Sequence, residues 1–304
     1  MKTVNFSVFF LAARHVLLAG CLLVIVQAAW AQPKPVNTNT VAYLGQHVLQ
    51  PSRIITYKTV DRQSLRLHIF EPAGFKSQDC RPSFLVVHGG GWVGGDAQSF
   101  YPFADHFAQE GWVGISMEYR LVKKQDSSVT VFDCVKDARS AVRYVRSHAR
   151  ELGIDPNKIV VGGGSAGGHL GACTALCQGI DEKGEDISVS CMPDALVLFW
   201  PALDTSKDGY GNAICGEHWK EISPLHLVRP GMPPTIVFHG TADRIVPFKG
   251  AEAFHDAMFA AGNRCELVVR EGGGHGYLMW NLRLFNEQIR QADQFLASLR
   301  YPMK

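Results

Sequence analysis

The chain predicts an α/β architecture, a mostly parallel sheet with helices on both faces. Three observations carry that reading. Short apolar runs of strand length alternate with stretches of helical periodicity from residue 84 to the C-terminus. Two of the runs end in glycine-rich turns, His88-Gly89-Gly90-Gly91-Trp92 and Gly162-Gly163-Gly164-Ser165-Ala166-Gly167-Gly168. No repeat, low-complexity block or interdomain linker breaks the series, so one domain over residues 54–304 accounts for it.

The first segment sets the compartment. Lys2, Arg14 and His15 precede an apolar run over 16–26, and Ala29-Trp30-Ala31 is a small-x-small cleavage pattern. Residues 1–31 are therefore expected to be a signal peptide cut between Ala31 and Gln32, giving a secreted or periplasmic protein. Leu18-Ala19-Gly20-Cys21 offers the alternative, a lipoprotein anchored through Cys21. The apolar run is shorter than the roughly 20 residues of a membrane span, so no span is expected in the mature chain. Residues 32–53 show no clear periodicity and are read as an extended N-terminal arm.

Residues 54–60 and 65–70, rich in β-branched residues and broken by Asp61-Arg62-Gln63, read as a hairpin. A strand follows at 84–87, a helix at 97–109 with Asp96 as its N-cap, and a strand at 112–117. Phe132, Val135, Ala138, Val142, Val145, Ala149 and Leu152 recur at three- and four-residue spacing, which marks an amphipathic helix. Asp137 and Arg139 on that helix are read as structural ion-pair partners. Gly153 ends the helix, and Asp155-Pro156-Asn157 is expected to turn the chain into a strand at 158–161. Beyond it come a helix at 166–176, strands at 195–199, 235–239 and 266–270, and helices at 248–261 and 284–299. Two irregular stretches, 178–192 and 201–234, are expected to wall a pocket at the carboxyl ends of the strands.

Composition excludes several function classes. Lys and Arg number 30 against 28 Asp and Glu, and Lys2 and Arg14 fall in the leader, so the mature chain is formally neutral. No basic block interleaves with aromatic residues, which excludes nucleic acid as a partner. There is no Cys-x-x-Cys and no His-Glu-x-x-His, and neither a metal nor a cofactor is expected. Cys80, Cys134, Cys173, Cys177, Cys191, Cys215 and Cys265 make an odd set, so an oxidising compartment could not pair them all. Cys173 and Cys177, one helical turn apart, read as small buried side chains.

The chemistry concentrates in the glycine turns. Gly163-Gly164-Ser165-Ala166-Gly167 fits G-x-S-x-G, a strained strand-to-helix turn that projects a serine hydroxyl above the sheet. Small neighbours let strand and helix approach, and the helix N-terminus favours developing negative charge. The glycines after His88 can offer backbone N–H groups to an oxyanion with no side chain in the way.

Together, His88-Gly89-Gly90-Gly91 and Gly163-x-Ser165-Ala166-Gly167-Gly168 resemble the hormone-sensitive-lipase-like branch of the α/β-hydrolases, which includes compact bacterial esterases. The resemblance runs over residues 84–275 and implies the α/β-hydrolase fold. It implies an oxyanion hole of Gly90, Gly91 and Ala166. Asp243, in His239-Gly240-Thr241-Ala242-Asp243, and His275, in Gly272-Gly273-Gly274-His275, match the family's acid and base, in the order Ser…Asp…His. The implied activity is that of a serine carboxylesterase. The chain departs from many relatives in having Gly164 before the nucleophile, no Ala-Pro-Glu after Tyr119-Arg120-Leu121, and no large N-terminal cap. Those departures suit compact enzymes acting on acetylated or aromatic esters, with a small-molecule or polysaccharide-linked ester as substrate. Trp92 stands either in the wall of the acyl or alcohol pocket or packed beneath the loop.

Three rival readings remain at this level. Gly89-x-Gly91-x-x-Gly94 and Gly162-x-Gly164-x-x-Gly167 both satisfy a dinucleotide fingerprint, with Glu118 where a ribose-binding acid could stand. That reading leaves Asp243 and His275 without a role. A non-catalytic binding module of the same fold would lack one of the three reactive residues, and all are present. Amide cleavage by the same residues, as in arylformamidases or peptidases, stays open.

Overall fold

The alternating pattern folds into eight hydrogen-bonded strands. The computed structural model describes residues 38–123 and 128–303; the expected leader, its expected cleavage position at Ala31 and Gln32, and Cys21 lie outside the described residues. In chain order come helix α1 (Val41–His47), strands β1 (Arg53–Val60), β2 (Gln63–Phe70) and β3 (Arg81–Val87), and helix α2 (Tyr101–Gln109). Next are β4 (Val113–Met117), α3 (Val131–Ser147), β5 (Ile154–Gly164) and α4 (Ala166–Leu176). Then follow β6 (Ala195–Phe199), the short α5 (Asn212–Cys215), β7 (Thr235–Gly240), α6 (Phe248–Ala260), β8 (Cys265–Arg270) and α7 (Leu282–Ser298).

The sheet order is β1-β2-β4-β3-β5-β6-β7-β8. The two pairings at its start, β1 with β2 and β2 with β4, are antiparallel, and the others are parallel. Side-chain alternation splits the core into two layers. On β3, Leu85 and Val87 join the layer under α3 and α4, while Phe84 and Val86 join the layer under α2 and α7. Each such fully buried aliphatic or aromatic side chain contributes about 1.5–3 kcal/mol relative to exposure. Among the described residues no helix is long and apolar enough to cross a membrane.

The structure corrects four readings of the sequence. The N-terminal arm is not wholly extended, because it holds α1. Thr40 accepts from the Tyr43 N–H at 3.2 Å, and Val41 is buried. Seven residues are too few to show periodicity. The Asp155-Pro156-Asn157 turn is part of β5, since Ile154 already pairs with Arg81. A register shift between Arg81 and Ser83 absorbs the proline. Residues 178–192 do not wall a pocket at the carboxyl ends of the strands. They leave the C-terminus of α4, opposite Ser165, and are tied to α3 by Arg139–Asp181 at 2.7 Å and Arg143–Glu185 at 2.9 Å. The fourth correction concerns Trp92, below.

Asp96 caps the turn into α2 as expected, accepting from the Ser99 N–H at 2.9 Å. Asp137 and Arg139 are structural ion-pair partners: Asp137 binds Arg120 at 2.8 Å, and Arg139 binds Asp181. The seven cysteines among the described residues are unpaired, with Cys173 and Cys177 both buried.

Candidate active site

Ser165 stands where β5 turns into α4, with φ 55° and ψ −122°. A non-glycine residue occupies that region only under constraint. The constraint is visible: the Ser165 N–H donates to the Phe199 carbonyl at 3.0 Å, and its carbonyl accepts from His169 and Ala202. The glycines around it are required by contact. A side chain at Gly167 would collide with the Val87 carbonyl, and one at Gly163 with the Gly167 carbonyl. The hydroxyl is thereby held above the sheet.

His275 arrives from the loop after β8, and Asp243 from the turn after β7. His275 Nε2 lies 2.9 Å from Ser165 Oγ, and its Nδ1 lies 2.7 Å from Asp243 Oδ2. A carboxylate only accepts, so Nδ1 carries the proton and Nε2 of the neutral ring is free to take one from the serine. Asp243 Oδ1 accepts from the N–H groups of Ile245 and Val246, each at 2.9 Å. Burial alone would push the Asp243 carboxyl up. Donation from His239, His275, Val246 and Ile245 outweighs it and holds the group well below the usual carboxylate range. The three residues singled out in the sequence are thus brought within hydrogen-bonding reach of one another.

The loop after β3 turns through positive φ at Gly90 (118°), Gly91 (62°) and Trp92 (64°). It is braced from below. His88 Nδ1 donates to the Gly89 carbonyl at 2.8 Å, and the ring stacks on Tyr119, whose hydroxyl donates to the His88 carbonyl at 3.1 Å. Burial pushes the His88 imidazole down to about 4. Gly90 gives its carbonyl to the N–H groups of Val93 and Gly94. Among the described residues, none of the Gly90, Gly91 and Ala166 N–H groups donates to a protein acceptor. Three donors beside a serine hydroxyl can stabilise an anion formed there.

Trp92 lines no cleft. Its side chain is fully buried, with Nε1 donating to His169 Nδ1 at 3.2 Å. His169 Nε2 donates in turn to the Ile222 carbonyl at 2.6 Å, and burial pushes that imidazole down to about 4. Packing beneath the loop is therefore the role Trp92 has. The dinucleotide reading also fails on geometry, because the helical turn after the first glycine run starts only at Ala97. The second run is occupied by the Ser165–His275 contact.

Sequence reasoning gave no role to His239 or Trp200, and placed Tyr210 only as one apolar residue of the 201–234 wall. His239 has Nε2 3.4 Å from Asp243 Oδ2, a contact signalled only by its place four residues before the acid. Trp200, with φ 37°, sets its ring edge-on to His275 at 6.4 Å between centroids. Tyr210, in the irregular 201–234 stretch, packs on Trp92 with centroids 5.5 Å apart. No motif announces either aromatic residue, because loop conformation puts it there.

Comparison with known proteins agrees with the fold. A family model described as BD-FAE matches residues 67–196. The chain is similar to the solved structure of Thermogutta terrifontis esterase 2 phosphoramylated by tabun, with TM-score 0.78 and 42% identity over 82% of this chain and 95% of that one. The same esterase with butyrate bound gives TM-score 0.75 and 40% identity over 82% and 95%. A probable isoprenylcysteine alpha-carbonyl methylesterase of Arabidopsis thaliana is 26% identical over 243 residues, 71% of this chain and 49% of its own length. The chain spans about half the length of the curated relatives it matches.

Proposed function

The chain belongs to the hormone-sensitive-lipase-like esterases of the α/β-hydrolase superfamily, and from that premise we propose that it is an exported serine carboxylesterase acting on short-chain or aromatic esters. One observation carries the reaction: His275 Nε2 at 2.9 Å from Ser165 Oγ, with Nδ1 at 2.7 Å from Asp243.

In this reading Ser165 Oγ attacks the ester carbonyl carbon while His275 Nε2 takes the hydroxyl proton. Asp243 fixes the tautomer and stabilises the imidazolium. The carbonyl oxygen becomes an oxyanion received by the N–H groups of Gly90, Gly91 and Ala166. Collapse breaks the bond to the alcohol, which leaves with the proton from His275. Water then gives a proton to His275 and attacks the acyl-enzyme, and the carboxylic acid departs as Ser165 recovers its proton.

Preference for a short acyl group is supported by the 201–234 wall, where polar side chains, prolines and glycines interrupt the apolar ones. It is supported also by the butyrate-bound and propionate-bound structures of the Thermogutta esterase. Export rests on the leader pattern of residues 1–31, and the N-terminal mass of secreted material should correspond to Gln32.

The test of the reaction is labelling by a fluorophosphonate with intact-mass readout, beside hydrolysis of p-nitrophenyl acetate. Wild type should take one adduct, and Ser165→Ala none, with at least about 10⁴-fold less activity and an unchanged fold. A Ser165→Ala protein that keeps more than a few per cent of activity refutes the assignment.

A further inference from the structure

Tyr210 brings a second kind of donor to the oxyanion loop. A methyl group placed on Gly91 would come within 2.8 Å of the Tyr210 hydroxyl oxygen, so the phenol borders the loop that follows β3. The residue is held from several sides. Its N–H donates to the Asp204 carbonyl at 2.8 Å, and its ring lies on Trp92. Trp92 is pinned through His169 to the Ile222 carbonyl. Asn212 Nδ2, two residues on, donates to the Thr205 carbonyl at 2.9 Å. Among the described residues the Tyr210 hydroxyl itself has no hydrogen-bond partner. The scaffold thus immobilises the ring and leaves its polar end uncommitted.

Resting on the esterase reading above, we infer that Tyr210 is a further substrate-contacting residue. Its O–H donates to the substrate carbonyl oxygen as that oxygen becomes an anion beside Gly91. The backbone supplies three N–H groups there, and the phenol adds a side-chain donor whose oxygen is already in place before substrate arrives. A preorganised donor acts in the transition state without reorganisation, and a hydrogen bond to an ionised acceptor is roughly twice as strong as a neutral one. Burial pushes the Tyr210 phenol above its usual range, so it remains a donor at neutral pH.

The experiment is Tyr210→Phe in the full-length protein, which keeps the ring on Trp92 and removes the hydroxyl alone. Steady-state constants are measured with p-nitrophenyl butyrate. Inhibition is measured with a propyl trifluoromethyl ketone, which forms a tetrahedral adduct with a reactive serine. We expect kcat to fall at least about tenfold, roughly 1.4 kcal/mol in the barrier, with KM within about twofold. The ketone's affinity should weaken by the same factor. Activity within twofold of wild type overturns the inference. So does a fall in kcat with ketone affinity unchanged, because a donor to the developing oxyanion must also stabilise the tetrahedral adduct. Wild-type protein without esterase activity would remove the premise, and the inference with it.

Discussion

His239 stands behind Asp243: its Nε2 lies 3.4 Å from Asp243 Oδ2 and 3.0 Å from the Val246 carbonyl oxygen. Both neighbours only accept, so Nε2 carries a proton shared between them. The ring is fully buried, and its Nδ1 has no hydrogen-bond partner among the described residues. The carboxylate that orients His275 is therefore itself held by a second histidine.

Asp243→Asn should lower kcat about 10⁴-fold by presenting His275 with the wrong tautomer. His239→Phe leaves the Val246 carbonyl unsatisfied and should cost about 1–3 kcal/mol of stability, with a far smaller loss of kcat. Denaturant midpoints and steady-state rates on the same preparations separate the two effects. If both variants lost kcat equally, His239 would belong to the reacting set.

Acid should unfold the protein in two stages. Burial holds His88 and His169 down to about 4, against about 6.5 in an unfolded chain. The unfolded state then binds the extra protons, so their contribution is complete above about pH 6.5 and is lost as pH falls toward 4. Asp243 is also depressed, and its contribution is lost only below its unfolded value of about 4. Denaturant midpoints at pH 7.5, 5 and 3.5 should decline at each step. A flat interval between 7.5 and 5 would mean that the two imidazoles protonate without unfolding.

Activity on p-nitrophenyl acetate and butyrate should exceed that on the palmitate ester by at least about a hundredfold, roughly 2.7 kcal/mol in the barrier. Each buried methylene is worth about 0.8 kcal/mol, and a shallow cleft gains nothing from carbons it cannot cover. A steady rise of kcat/KM through ten or more carbons would require a deep apolar channel instead.

Removing Asp137 should be the costliest change away from the site. Its side chain is wholly buried and binds Lys58 at 2.7 Å and Arg120 at 2.8 Å. Asp137→Leu leaves Lys58 and Arg120 sharing Glu182, 2.7 Å from each, and should cost about 3–5 kcal/mol, read as a lower denaturant midpoint. A triple variant that also converts Lys58 and Arg120 to Met should recover much of that loss. If the single variant is as stable as wild type, Glu182 alone suffices to balance both buried cations.

All eight strands were legible in the sequence, because apolar runs bounded by glycine and proline mark buried strands well. The same patterning placed α4 from Ala166 to Leu176. Ser165, Asp243 and His275 were legible because each follows a strand. Helix α1 was hidden by its length, and the start of β5 by a proline that a register shift accommodates. Trp92 was ambiguous since a tryptophan after three glycines can face either way. Its inward turn depends on His169, 77 positions later. Tyr210 was legible only as part of the 201–234 wall and His239 was missed, because their contacts run across the fold and no local pattern encodes them.

The backbone bonds at Ser165 have a consequence for motion. One residue links β5, α4 and the chain leaving β6, through Phe199, His169 and Ala202. Swinging Ser165 out of place would detach a helix N-terminus and separate two neighbouring strands at once. The amide of Ser165 should consequently exchange with solvent deuterium only at the rate of whole-domain opening, whereas exposed surface loops exchange through local fluctuation. Catalytic placement and the slowest-opening part of the molecule then coincide. Destabilising the domain elsewhere would lower the fraction of competent enzyme without misaligning the molecules that remain folded.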